Sequence, residues 1–167
     1  MTYMRSGMRI RRVALGVAVG VLARGAHAQS PNPGPLTLEY RWVGLGIAGP
    51  THAVLDAQTG RTLAVSDSVV LDLAGVSRAE VVGRGARLAG GDVIARLRPA
   101  AARAFAEATA AHVGDDLGIL LDGRVVQVAH IASRLGAVAG IVSGVPRPVA
   151  DSVAARVNRA SSGPAPD

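Results

Sequence analysis

Short runs in which apolar and polar residues alternate, the period-2 pattern of β-strands, begin after a proline-rich segment near residue 35. Residues 36–43 alternate in this way and contain β-forming residues, which predicts a first strand. Residues 52–56 and 61–65 flank Ala57-Gln58-Thr59-Gly60, which predicts a β-hairpin with a four-residue turn. Residues 68–74 are largely apolar with Asp72 inside, and this pattern fits a short helix and a strand equally well.

The pattern becomes helical at Pro99. Before it, residues 78–82 and 93–97 predict two strands that pair through a glycine-rich connection. Pro99 favours the first turn of a helix, where its missing N–H has no partner to lose, and Gly114 favours the end of that helix. The predicted buried stripe of this helix consists of Ala101, Ala104, Phe105 and Ala108.

A second hairpin and a second helix follow. Asp122-Gly123, between residues 117–121 and 125–131, is the strongest short hairpin signal in the chain. Residues 136–142 predict a further strand, apolar on both faces. Residues 148–159 predict an amphipathic helix with Val149, Val153 and Val157 inward and Asp151, Arg156 and Arg159 outward. This order predicts an α+β fold, a mostly antiparallel sheet with two main helices packed on one face.

The first 28 residues resemble a secretory signal peptide. A basic front ends at Arg11-Arg12, an apolar centre covers residues 13–23, and Ala26-His27-Ala28 has the form of a cleavage site. We therefore expect cleavage after Ala28 and an exported protein, periplasmic or extracellular, with the general and twin-arginine routes both open. The expected organisation is a signal peptide at 1–28, a proline-rich linker at 29–35, one α+β domain at 36–160 and a disordered tail at 161–167.

Composition narrows the classes of partner. Five of the 18 basic residues and none of the 12 acidic ones precede Gln29, so the remainder has a net charge of +1. Aromatic residues form only 2% of the chain, which argues against nucleic-acid binding by base stacking. The chain has no cysteine, hence no disulfide or lipid attachment site, and no cofactor is expected. No stretch beyond the leader reaches about 18 apolar residues, so no transmembrane segment is expected after cleavage.

Several candidate sites in the sequence have simpler structural explanations. Residues 44–49 match G-x-G-x-x-G, but Pro50 argues against the helix that a dinucleotide site needs at this point. His52, His112 and His130 are too dispersed for a metal motif, and His112 fits a helix C-terminus. No serine lies in a G-x-S-x-G elbow. These observations assign no catalytic, cofactor-binding or metal residue.

The carboxylates around the Asp-Gly hairpin are the remaining candidates for catalysis. Asp115, Asp116 and Asp122 flank one predicted strand, and two of them can act as acid and base if they lie about 5 to 9 Å apart. The competing interpretation is a solvated loop followed by a turn residue. A basic patch of Arg84, Arg87, Arg96 and Arg98 fits an anionic envelope surface and a solvated face equally well. Gly136, Gly140 and Gly144 have the spacing of a membrane helix dimer, but the segment is too short to span, and these glycines are interpreted as positions where the alanine-rich helix approaches the sheet.

The second half of the chain resembles the periplasmic head subdomain of the protein-export membrane protein SecD. The resemblance rests on residues 105–109 (FAEAT), residues 113–125 (VGDDLGILLDGRV) and residues 141–144 (IVSG) before the last helix, and it covers about residues 93–159. The chain departs from the family where Arg98 replaces a capping Thr, where Ala129 and His130 replace a proline-containing turn, and where Gly118 replaces Ala.

The resemblance implies a SecD-head-like fold. It does not imply proton-driven export, because the family's translocase crosses the membrane several times and no such span is expected here after the leader. We expect an exported, non-enzymatic binding or accessory domain that contacts a protein or peptide in the cell envelope, through a sheet edge or the groove beside the Pro99 helix. Two alternatives stay open: an envelope enzyme built on the carboxylates and a histidine, and an accessory subunit of the protein-export machinery.

Overall fold

The structure is a computed structural model that describes residues 35–44, 46–83 and 90–162. The expected signal peptide and most of the linker lie outside the described residues, as do Arg84, Arg87 and residues 163–167. The elements in the described part are β1 (Leu38–Val43), β2 (Thr51–Leu55), β3 (Thr62–Ser66), β4 (Leu71–Asp72), a 3-10 turn (Leu73–Gly75), β5 (Val76–Gly83), β6 (Gly90–Leu97), α1 (Pro99–Ala111), β7 (Asp116–Leu121), β8 (Arg124–His130), β9 (Val138–Pro146) and α2 (Arg147–Ser161).

The strands form two antiparallel sheets that share one core. A six-stranded sheet has the order β2-β3-β1-β7-β8, with β4 beside β1, and a three-stranded sheet has the order β5-β6-β9. The predicted α+β class with antiparallel strands and two helices is confirmed, and the strands divide into two sheets, which the alternation pattern did not specify. Residues 68–74, whose pattern fits a short helix and a strand equally well, contain the two-residue strand β4 and the start of the 3-10 turn.

Both predicted hairpin turns are present. Asp122 and Gly123 have φ angles of 51° and 73°, the left-handed pair that a tight two-residue hairpin turn requires. In the β2–β3 turn, the Asp56 carboxylate accepts hydrogen bonds from the backbone N–H of Gln58 at 2.8 Å and the hydroxyl of Thr59 at 2.5 Å. These bonds lower the pKa of Asp56. The first turn is therefore stabilised by its backbone conformation and the second by the hydrogen bonds of Asp56.

The six-stranded sheet curls until its outer strands meet. Asp56, just after β2, bridges to Val125 of β8, and the backbone N–H of Ala57 donates to the Val125 carbonyl at 2.8 Å. The space inside the curl is filled by a small apolar cluster of Val43, Val54, Val65, Leu120 and Val125. The outer face of β1 and β7 packs instead into the main core.

Gly118 of β7 faces the inside of this curl. A Cβ built on Gly118 would overlap the Cγ2 atom of Val43, which is part of the inner cluster. A side chain at this position therefore competes with Val43 for the same space, and glycine allows β1 and β7 to curve tightly around the cluster.

Each helix buries most of its predicted stripe. Phe105 and Val157 are buried, and the partly buried residues packed on the core include Ala101, Ala108 and Val153. In α1 the buried residues are Phe105, Ala106 and Thr109, whereas Ala104 is exposed. The Phe105 ring meets that of Tyr40 edge to face at a centroid distance of 5.9 Å. Phe105 of the helix therefore packs directly against Tyr40 of the six-stranded sheet.

In α2 the buried residues are Ala150, Ala154 and Val157, and Val149 is 47% exposed. The prediction of an inward Val149 was wrong because close approach favours small residues at this interface. A Cβ built on Gly91 of β6 would lie 3.1 Å from the Cβ of Ala150, so the helix and the three-stranded sheet nearly touch there. α2 also extends to Ser161, the first residue of the expected tail.

The glycines of the β9 region do not provide that close approach. Added Cβ atoms at Gly136, Gly140 and Gly144 would meet nothing within 4 Å, so the interpretation of these residues as helix contacts was wrong. The strand also starts at Val138 rather than at Gly136, and Val138 and Gly140 are exposed, so one of its faces is open to solvent.

Side chains from other elements bind both outer strands of the three-stranded sheet. The Asn158 amide of α2 accepts a hydrogen bond from the backbone N–H of Ala79 in β5 at 2.7 Å and donates to the Ala79 carbonyl at 3.0 Å. On β9, the Tyr40 hydroxyl donates to the Gly140 carbonyl at 2.8 Å. Burial of this phenol raises the pKa of Tyr40. Each edge therefore has part of its backbone satisfied by a side chain.

Candidate functional site

A cavity of about 440 Å³ opens at the end of the six-stranded sheet where β1 finishes. Its walls come from the end of β1, the loop after β1, the end of β3 and the residues beyond α1. They include Trp42, Ile47, Ala48, Ser66, His112 and Asp115. A cavity of this volume, with apolar walls and a few polar groups, has the character of a binding pocket.

The wall next to α1 is a stacked pair of rings. Trp42 is 8% exposed, and its ring lies 4.3 Å from that of His112 with 25° between the planes. His112 is the residue at which α1 ends, and its Nδ1 lies 2.7 Å from a carboxylate oxygen of Asp115. The helix end therefore places the imidazole between an indole and a carboxylate.

Arg41 fixes the opposite wall. Its guanidinium donates to the Glu39 carboxylate at 2.7 Å and to the backbone carbonyls of Ser66 and Asp67 at 3.0 and 2.5 Å. Ser66 is buried, and its hydroxyl oxygen accepts a hydrogen bond from the Ser68 N–H at 3.1 Å. The Arg41 side chain is only 13% exposed, so its charge is directed into the protein.

Three histidine–aspartate pairs lie at this same end of the sheet. The strand register aligns His52 with Val65, Val65 with Val43, Val43 with Asp116, and Asp116 with His130. The histidine Nδ1 atoms lie 2.5 Å from Asp67 for His52 and 3.0 Å from Asp116 for His130, in addition to the His112–Asp115 pair. The histidines that looked dispersed in the sequence are therefore collected at one end, each with its own carboxylate.

Of the three candidate catalytic carboxylates, two lie at the cavity end of the sheet and the third lies at the other end. Asp115 lines the cavity, Asp116 pairs with His130 beside it, and Asp122 lies at the opposite end of β7. A six-residue strand is about 20 Å long, which is far beyond the roughly 5 to 9 Å needed for a glycosidase pair. In the described part of the chain, no serine is hydrogen-bonded to His112. The geometry therefore brings Asp115 and Asp116 to one end of the sheet, each beside a histidine, and leaves Asp122 outside that group.

Asp122 has a structural role at its own end of the sheet. Its carboxylate accepts hydrogen bonds from the backbone N–H of Thr37 at 3.4 Å and from the Arg156 guanidinium of α2 at 2.7 Å. The turn residue thus joins the stretch before the first strand to the last helix.

The glycine motif forms a loop of the cavity wall. Gly44, Gly46 and Gly49 have φ angles of 131°, 90° and 93°, and the chain continues into β2 at Thr51 rather than into a helix. This agrees with the argument from Pro50 against a dinucleotide site, because no helix N-terminus is available to bind a pyrophosphate.

The basic patch is exposed in its described part, and its guanidinium groups have hydrogen-bond partners on the protein. Arg96 is paired with Glu80, whose carboxylate also meets Arg78. Arg98 donates to the backbone carbonyls of Ala74 at 3.0 Å and Ser161 at 3.4 Å, which ties the end of α2 to the 3-10 turn. The described arginines therefore agree with a solvated face, and Arg84 and Arg87 lie outside the described residues.

Sequence reasoning missed the residues that form most of the cavity. Trp42, Ile47 and Ser66 come from three segments whose meeting depends on the curl of the sheet. Two signals were nevertheless present: Trp42 is the only tryptophan in the chain, and the cavity loop carries three glycines within six residues.

Two further observations concern the described residues. No group of three or more His, Cys, Asp or Glu residues among them is arranged to hold a metal ion. None of the helices described in residues 35–44, 46–83 and 90–162 has the length and apolar character needed to cross a membrane.

The architecture is that of an α+β head domain, two antiparallel sheets and two helices with a cavity at one end. It matches solved structures of SecDF. One, described as a membrane component SecDF that enhances protein export, aligns with a TM-score of 0.59 at 24% identity and covers 79% of this chain and 66% of that one. The other, SecDF in super-membrane-facing form, aligns with a TM-score of 0.58 at 24% identity and covers 79% of this chain and 20% of that one.

A family model described as the SecDF P1 head subdomain matches residues 51–161, more than half of the chain. The chain belongs to this family. The protein translocase subunit SecD of Koribacter versatilis (strain Ellin345) is 55% identical over 31 residues, which are 19% of this chain and 6% of that protein. The chain therefore corresponds to a small part of this relative. The family match also includes the β2–β3 hairpin, which lies outside the resemblance found from the sequence.

Proposed function

We propose that this protein is an exported, non-enzymatic accessory domain of protein export that holds an extended polypeptide segment by an apolar side chain inserted into the Trp42 cavity. The observation that carries the proposal is the cavity itself, apolar on the Trp42 and Ile47 side and polar at His112 and Asp115. Family membership supports the export context, because the SecD relative is a translocase subunit and SecDF is described as enhancing protein export.

The cavity is a better candidate than the edges of the three-stranded sheet. Recognition by strand addition needs a row of unpaired backbone groups. Asn158 occupies both polar groups of Ala79 on β5, and Tyr40 occupies the Gly140 carbonyl on β9. Of the two binding modes expected from the sequence, the groove beside the Pro99 helix is therefore the one we propose, since His112 at the end of that helix lines the cavity.

A binding role is favoured over catalysis by the separation of the carboxylates. The enzyme alternative was built on Asp115, Asp116, Asp122 and a histidine. Asp122 is removed from that set because it lies at the far end of β7, whereas Asp115 and Asp116 are each paired with a histidine. We accordingly propose no catalytic, cofactor-binding or metal-binding residue.

The proposal includes the organisation expected from the sequence: a signal peptide removed after Ala28, a linker at residues 29–35 and one α+β domain from residue 36. Protein sequencing of the mature chain recovered from a cell envelope fraction tests this directly. The expected first residue is Gln29, and a mature chain that still begins with the leader would contradict export by cleavage.

Tryptophan fluorescence tests the binding function, because Trp42 is the only tryptophan of the chain and lies in the cavity. An unfolded polypeptide without tryptophan is titrated into the purified full chain, and saturable change in Trp42 emission is expected. Ala48→Phe, which places a ring at the exposed rim of the cavity, is expected to abolish the change. Ala104→Phe is the matched control, because Ala104 is exposed on α1 away from the cavity lining, and it should bind normally.

The accessory role in export needs a second measurement. Cells that lack the protein are expected to transfer newly made exported proteins more slowly, and the wild-type chain but not Ala48→Phe should restore the rate. Recovery of translocase components with the protein in mild detergent would identify it as a subunit of the export complex. Normal export kinetics in its absence would overturn the export context while leaving binding measurable.

A further inference from the structure

The mouth of the Trp42 cavity is acidic. Asp115 lines it, Asp116 follows in the chain, and Asp67 lies between the two serines of the cavity wall. All three carboxylate side chains are about half exposed or more, and each is bonded to a histidine of the same end of the sheet. When those histidines are uncharged, the three aspartates give the mouth a negative charge.

Among the described residues, two arginines lie near this region, against three aspartates. Arg41 reaches this region, since its guanidinium donates to the Asp67 carbonyl, but the same guanidinium is paired with Glu39 and is largely buried. Arg134 is exposed in the loop after β8 and makes no ion pair among the described residues. Arg61 and Arg124 belong to turns at the opposite end of the sheet. The local charge is thus opposite in sign to the net charge of +1 that the chain carries from Gln29 onward.

We infer that the cavity selects polypeptide segments in which an apolar side chain is flanked by Lys or Arg. The apolar side chain enters between Trp42 and Ile47, and the neighbouring cations lie against Asp67, Asp115 and Asp116. This inference rests on the proposed function and adds the charge of the segment that is recognised. Opposite charges across an interface increase the association rate and reject segments of the wrong sign, so the acidic mouth provides discrimination that the apolar walls lack.

Two peptides of equal length test the inference. Each carries one leucine in a glycine–serine background, flanked by lysines in one and by glutamates in the other, and neither contains tryptophan. Trp42 emission of the purified full chain is followed at pH 8, above the range in which histidine side chains generally titrate. The lysine peptide is expected to bind about fivefold more tightly at low salt, with the difference shrinking as salt is added.

Two matched variants test whether the aspartates at the cavity mouth cause the preference for the lysine peptide. Asp115→Asn keeps an acceptor for His112 and is expected to reduce the difference between the peptides roughly twofold. Asp151→Asn removes a carboxylate of similar exposure on α2, distant from the cavity lining, and should leave the difference unchanged.

The outcomes separate the two proposals. Equal affinity for both peptides, or tighter binding of the glutamate peptide, overturns the charge selection and leaves the binding function standing. A preference that Asp115→Asn and Asp151→Asn reduce equally reflects overall charge and also overturns it. Absence of any emission change with either peptide overturns the binding function, and with it the selection.

Discussion

Trp42 and His112, from the first long strand and from the end of the first helix, stack with 4.3 Å between their ring centroids. The contact closes one wall of the cavity and covers an indole that is otherwise at the surface of the sheet. Because tryptophan emission depends on the surroundings of the ring, changes at this wall can be measured by Trp42 fluorescence without an added label.

His112→Ala is expected to uncover the Trp42 ring. Loss of the stack should shift Trp42 emission to longer wavelength and lower the free energy of unfolding by about 1 kcal/mol. Fluorescence spectra and thermal unfolding measure the two effects. His130→Ala removes a histidine–aspartate pair of the same kind without touching Trp42, so its emission should match the wild type. An unshifted spectrum in His112→Ala would mean that the stack does not shield the ring.

Gly118→Ala is expected to destabilise the fold by about 1 to 3 kcal/mol, because the new methyl group overlaps Val43 inside the curled sheet. Urea unfolding measures the change as a lower midpoint. Gly140→Ala is the control, since its Cβ meets nothing within 4 Å in β9. The double variant Gly118→Ala/Val43→Ala should lose less stability than the two single changes added together, and strict additivity would contradict the overlap.

Asn158→Ala is expected to lower the free energy of unfolding by about 1 to 3 kcal/mol, because it leaves the N–H and carbonyl of Ala79 without partners at a half-buried edge. It should also increase light scattering on storage, since β5 then offers an open edge for pairing between molecules. Ser152→Ala, at an exposed position of the same helix, should change neither property. Wild-type scattering in Asn158→Ala would show that the edge is protected by something other than this amide.

Glu80 contributes stability that depends on pH. Hydrogen bonds from Arg96 and Arg78 lower the pKa of Glu80 from 4.5 to about 2. Since the folded protein holds this carboxylate charged more firmly than the unfolded chain does, its contribution is complete above about pH 4.5 and is lost as the pH falls toward 2. Glu80→Gln should therefore unfold at a lower temperature than the wild type at pH 7, and the gap should close in acid. A gap that is constant from pH 7 to pH 2 would exclude this ion pair as its source.

Local sequence rules predicted the hairpin turns and most of the helices and strands. Asp122-Gly123 predicted a hairpin because both residues tolerate the left-handed backbone, and the φ angles agree. Pro99 begins α1 for the reason given from the sequence, since its ring fits the first helical turn.

Periodicity alone does not determine which residues of a helix are buried or which strands pair, because both depend on packing. Valine is more apolar than alanine, so hydrophobicity favoured Val149 as the inward residue of α2, but the short distance between α2 and Gly91 selected Ala150. The cavity depends on contacts between segments distant in the chain, such as Trp42 with His112, and those follow from the curl of the sheet. The division into two sheets has the same origin, because alternation identifies strands but not their partners.

The hydrogen bonds of Asp122 lie at the end of the six-stranded sheet opposite the cavity. Thr37, just before β1, and Arg156, in α2, both bind this carboxylate at the hairpin turn, while the cavity lies at the other end of β7. Both ends of the described domain therefore emerge on the pole opposite the mouth. A segment that enters the cavity would therefore approach the domain from the side opposite to Thr37 and the hairpin turn.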